Sequence, residues 1–145
     1  MRPTRFQTLL VDVAAGLPGV QRAAALADVG HTAHPLGAAL QLASGAQLWW
    51  QITAVSTTGD VYGNEEGQPV TGAAPEPREM PDLTAQPVRT AAVEQALAAG
   101  IVAAGSKEIA SVEPYSERKT VSAIEYGLTV KFHSGADPAP AVRRA

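Results

Sequence analysis

Near the amino terminus, Phe6, Leu9, Leu10, Val13, Ala14 and Leu17 recur at the spacing of one helical stripe. Thr4, with Gln7 three residues on, reads as a capping box, and Gly16 and Pro18 supply the stop. Val20 to Leu26 is apolar without a clear period and reads as a weak strand, and Asp28 to Pro35 reads as a loop. The period then changes to two. Leu36, Ala38, Leu40 and Leu42 alternate with Gly37, Ala39, Gln41 and Ala43; Ser44-Gly45 turns the chain, and Gln47 to Val55 returns as the partner strand. Adjacent strand residues point to opposite faces, so Trp50 belongs with Leu48 and Ile52 in the core. Trp49 then shares the polar face with Gln47, Gln51 and Thr53.

Periodicity disappears between Ser56 and Arg89, which hold five of the eleven prolines and the acids Asp60, Glu65, Glu66, Glu76, Glu79 and Asp82. Such a stretch reads as a long mobile loop over 56–89. A second helix follows, with Thr90 as N-cap, Glu94 favouring the positive end, a stripe of Val93, Leu97, Ile101 and Ala104, and Gly105 as the stop. Lys107 to Glu113 reads as a short strand, Pro114 to Lys119 as a turn, and Val121 to Phe132 as a strong strand. In the last, Ile124, Tyr126, Leu128, Val130 and Phe132 oppose Glu125, Thr129, Lys131 and His133. His133 on that polar face reads as solvated. The run Asp137-Pro138-Ala139-Pro140 cannot continue a central strand, so 137–145 is expected to be a flexible tail. The order predicts one α+β domain over residues 1–145: a single antiparallel sheet of about five strands with both helices on one face.

The chain also echoes itself. Leu36 to Ala46 lies over Tyr126 to Ala136 with four identities, and Ala14-Ala15-Gly16-Leu17 resembles Ala98-Ala99-Gly100-Ile101. These matches predict an internal α-β-β duplication, two halves related by a pseudo-twofold axis.

Composition narrows the function. A length of 145 residues and 46% apolar content suit one globular domain, although aromatics are only 5% and alanine supplies much of the apolar count. There is no cysteine, which excludes disulfides, thiolate nucleophiles and thiolate metal sites. Net charge is −3 and the basic residues are scattered, unlike the concentrated positive face of a nucleic-acid binder. No stretch suits a signal sequence or a membrane span, so no nucleic-acid or membrane partner is expected and the location reads as cytoplasmic, or virion-associated if phage-encoded.

Asp28, His31 and His34 form the one cluster of ligand-type residues, but no helix sets their spacing and Pro35 stiffens the exit. No nucleophile elbow, phosphate-binding loop or dinucleotide fingerprint appears. The sequence therefore assigns no catalytic, cofactor-binding or metal-binding residue and expects no enzyme, cofactor or small-molecule substrate. An indole at Trp49, on the polar side of a strand, is instead covered by the long loop or offered to a partner. Gln47, Trp49, Gln51 and Thr53 are the expected interface, with another protein or a second copy as the occupant.

The run Phe6 to Gly19, and the final hairpin Ile109 to Phe132, give the chain an element order that resembles phage tail-terminator proteins. That resemblance implies an oligomeric structural protein, a ring that caps a tail tube. The same order resembles the secretion-chaperone fold, which implies a dimer holding a partner polypeptide. The remaining alternative is a small metal-dependent enzyme using the Asp28, His31 and His34 loop.

Overall fold

The computed structural model describes residues 1–53, 68–85, 87–119, 123–134 and 141–144. Its elements are α1 (Pro3–Ala15), β1 (Val20–Ala25), β2 (Gly37–Leu42), β3 (Gln47–Thr53), α2 (Thr90–Ala103), β4 (Ile109–Pro114), β5 (Gly127–Phe132) and β6 (Ala141–Arg144). Short 3₁₀ turns follow β1, at Leu26–Val29, and β4, at Tyr115–Glu117. The antiparallel ladders β1-β2-β3 and β4-β5 are joined through β6, giving the order β1-β2-β3-β6-β5-β4. The protein is α+β. Both helices pack on one face, where Leu40, Trp50, Leu128 and Val130 meet Phe6, Leu10, Leu97 and Ile101 in a single buried cluster. No helix among the described residues is long and apolar enough to cross a membrane.

The two halves superpose in pattern. Each runs helix, bulged edge strand, 3₁₀ turn, strand, strand, and the bulges fall at Val20/Arg22 and at Ile109/Ser111. In the first half, Ala38 faces Trp50 and Ala39 faces Trp49; in the second, Leu128 faces Val142 and Thr129 faces Ala141. These registers equate Gln51 with Arg143, and those two residues pair with each other between β3 and β6. A residue pair that maps onto itself marks the pseudo-twofold axis. The helices meet on the same axis. A Cβ added at Gly100 would lie 2.5 Å from Val13 Cγ1, so the missing side chain is what lets α2 come down onto α1. Matching Val13 to Gly100 also matches the buried Phe6, Leu10 and Ala14 to the buried Val93, Leu97 and Ile101. The Ala-Ala-Gly echo in the sequence is thus about one helical turn out of the structural register.

Several expectations are corrected. Thr4 does not cap α1: the helix begins at Pro3, whose fixed φ favours a first helical position, and the N-cap is Arg2. The Thr4 carbonyl accepts from the Thr8 hydroxyl instead, and Gln7 turns towards the sheet. The N-cap of α2 is Arg89, not Thr90. The strand expected over Val121–Phe132 begins only at Gly127; residues 123–126 bend, as does the approach to β2 at the same place in the first half, and 120–122 lie outside the described residues. Of the flexible tail expected over 137–145, residues 137–140 and 145 lie outside the described residues, and 141–144 instead contribute a sixth, central strand; Pro138 and Pro140 precede it in the sequence, so every residue of β6 keeps an N–H for pairing.

Within the stretch read as a mobile loop, 54–67 and 86 lie outside the described residues. Residues 68–85 form no helix or strand but are tied to the helix side as a strap. The Gly72 N–H donates to the Lys107 carbonyl at 2.9 Å, and His133 Nε2 lies 2.8 Å from the Ala73 carbonyl. His133 therefore holds the strap and is not a solvated strand residue. Arg78 reaches Gln95 of α2 and pairs with Glu117. Leu83, 1% exposed, enters the core. With the sheet, α1 and the strap around it, α2 is buried on nearly all sides, from Val93 and Glu94 to Ile101 and Val102.

Candidate functional site: the helix-free face of the sheet

Alternation along the strands puts every second residue on the face that no helix covers. Trp50 is fully buried beneath the helices, while Trp49 beside it is 43% exposed on the opposite face. Trp49 pairs with Ala39, and the neighbouring small side chains leave a hollow of about 210 Å3 lined by Arg22, Ala24, Val29, Ala39, Gln41, Gln47 and Trp49. The part-cover on the indole comes from the connection after β1. His31 packs edge-on against Trp49 with ring centroids 5.3 Å apart and planes at 78°. Of the other expected interface residues, Gln47 is exposed, and Gln51 and Thr53 are half-buried towards the pseudo-twofold axis.

The same face continues into the second half. The Arg118 guanidinium lies 3.5 Å from the centre of the Tyr115 ring and donates to the Thr129 hydroxyl. Lys131 and Glu113 are exposed along β5 and β4. The face thus carries Arg22, Arg118 and Lys131 against Glu113, with Asp28 at its rim, in a chain whose net charge is −3.

Asp28, His31 and His34 do not converge on a point. The two imidazole centroids are 6.2 Å apart, and among the described residues no group of three such side chains could hold a metal ion. The closest approach to an activated nucleophile lies elsewhere. The Ser116 hydroxyl donates to Glu94 Oε1 at 2.5 Å and accepts from Gln95 Nε2 at 2.7 Å. Glu94 is fully buried, and its two oxygens also accept from the backbone N–H groups of Ser116 and Gly127, at 3.1 and 2.8 Å. In the other half, Gln7 Oε1 accepts from the Gly37 N–H at 2.9 Å with no hydroxyl involved. The shared task is to fasten the start of an inner strand to its helix, which makes Glu94 a structural clasp rather than a base. Its sequence signal is positional: Gln7 follows the first stripe residue Phe6 as Glu94 follows Val93, although a glutamate near a helix start also suits the helix dipole.

On the strap, the Thr84 hydroxyl and then its N–H donate to Asp82, holding that exposed carboxyl below its ordinary pKa. Comparison with protein-family models, curated proteins and solved structures returned no match.

Proposed function

We propose that this protein is a non-enzymatic assembly protein that self-associates through the helix-free face of its sheet, with Trp49 as the anchor. The observation that carries this reading is a tryptophan 43% exposed beside a hollow floored by small side chains, on a sheet whose other face is fully packed. Tryptophan next to a pocket is what interface hot spots are made of. Both outer strands, β1 and β4, are bulged, and a bulge turns an edge away from strand-to-strand pairing. That leaves the face, not an edge, as the surface offered. A structural role in a phage tail or a phage-derived particle is the setting that the resemblance in element order suggests for such an oligomer.

Sedimentation velocity over a wide concentration range tests the reading. The wild-type chain is expected to assemble at high concentration, and Trp49→Ala to remain monomeric with an unchanged circular dichroism spectrum. A wild-type chain that stays monomeric at every concentration overturns it.

A further inference from the structure

We infer that the contact is head to tail: the sheet face of one copy receives the strap, residues 68–85, of the next copy. This rests on the self-association proposed above and specifies which two surfaces meet.

Three observations converge on the pairing. The exposed large apolar side chains among the described residues fall on two surfaces: Val29 and Trp49 on the sheet face, Val70 and Met80 on the strap. The strap runs along the helix layer, tied to Gln95 of α2 and to Lys107 just beyond it, so the two surfaces belong to opposite layers of the molecule.

Charge distinguishes the two ways in which copies could meet. The sheet face presents Arg22, Arg118 and Lys131 against Glu113, with Asp28 at the rim. The strap presents Glu76, Glu79 and Asp82, and its Arg78 is already engaged by Glu117. Sheet face against sheet face would bring together two surfaces of the same net sign, whereas sheet face against strap brings together surfaces of opposite net sign.

Chain chemistry points the same way. The strap centre reads Pro75-Glu76-Pro77-Arg78-Glu79-Met80-Pro81. Proline-rich extended segments dock on aromatic-lined grooves because their backbone is already restricted and little conformational freedom is lost on binding. Trp49 and its hollow supply the aromatic groove. The strap's own ties, through Gly72, Ala73 and Leu83, hold it in place before any partner arrives. A contact between two different surfaces does not stop at a dimer; it propagates until rotation closes a ring or leaves a stack.

The test uses two charge-reversed chains: Arg22→Glu with Lys131→Glu on the face, and Glu76→Arg with Glu79→Arg on the strap. Wild type is expected to grow past the dimer as concentration rises and to dissociate at roughly 1 M salt, where the screening length falls to about 3 Å. Each reversed chain alone should associate at least about tenfold more weakly, with unchanged thermal unfolding. Mixed in equal amounts, intact face meets intact strap and reversed face meets reversed strap, both pairs unlike in sign, so the mixture should recover the growth past the dimer that each chain alone has lost. If wild type stops at a dimer and the strap-reversed chain assembles as well as wild type, the contact is face to face. Self-association then stands and the head-to-tail inference falls. A mixture that recovers no growth overturns the inference as well, and a wild-type monomer at all concentrations removes both.

Discussion

In the first half, the neutral amide of Gln7 takes one hydrogen bond, from the Gly37 N–H, whereas in the second the buried carboxyl of Glu94 takes three, from Gly127 and twice from Ser116. The paired strands differ in a compensating way. Ala38 faces Trp50 where Leu128 faces Val142, a small residue against a very large one in place of two of middle size. After the edge strands, buried Leu26 stands where buried Tyr115 stands, and only the tyrosine carries an arginine over its ring. The comparison teaches that the frame requires a fastener between each helix and its inner strand, and a pairing partner for each inner strand. It does not require particular residues to provide either. At the pseudo-twofold axis there is less latitude, because α1 and α2 approach each other there over a glycine.

The largest expected effect tests the unequal strand pairs. Trp50→Ala should destabilise by about 3–5 kcal/mol in chemical denaturation, as a large core side chain removed opposite a small one. Trp50→Phe should do less harm, since the Trp50 Nε1 has no acceptor among the described residues. Trp49→Ala should change monomer stability by less than about 1 kcal/mol. A reversed ranking would mean that β3 faces the other way.

Next come the fasteners. Glu94→Ala leaves three donors without their acceptor and should cost about 3 kcal/mol, against about 1 kcal/mol for Gln7→Ala. Equal losses, measured by the same denaturation, would show that the second half gains nothing from its extra hydrogen bonds.

A further effect lies on the axis. Alanine is a better helix former than glycine by about 1 kcal/mol, yet Gly100→Ala should lower stability by about 1–3 kcal/mol through the clash with Val13. Val13→Ala in the same chain should recover most of that loss. A stabilised Gly100→Ala would show that the helices have room to separate.

Periodicity made much of this frame legible. The stripe through Phe6 and Leu10, the alternation through Leu40 and Leu42, and the opposed faces of Trp49 and Trp50 follow from local geometry. What escaped depends on distant parts of the chain. Gln7 and Glu94 look like ordinary residues near a helix start until the strands bring Gly37 and Gly127 to them. Ala141–Arg144 is too short and too close to prolines to stand out as a strand, and its pairing comes from β3 and β5 on either side. The 68–85 segment has no period to detect; single anchors such as Leu83 hold it. The sheet face was legible as far as Trp49 and Gln47. The hollow beside the indole was not, because Arg22, Ala24 and Val29 come to it from another strand and its turn.

The position of β6 has a consequence for the order in which the sheet is completed. It is the latest strand in the sequence and yet lies at the centre of the sheet. While the chain emerges from a ribosome, β1, β2 and β3 are available long before it. Until Ala141–Arg144 arrives, β3 is an unpaired edge whose sequence reads Leu48-Trp49-Trp50-Gln51-Ile52, the kind of edge that recruits a strand from another molecule. Closing the sheet joins residues far apart in sequence and so belongs to the slow part of folding. During that interval a neighbouring chain's 141–144 segment fits the same place, making strand exchange between nascent copies the characteristic misfolding hazard of this topology.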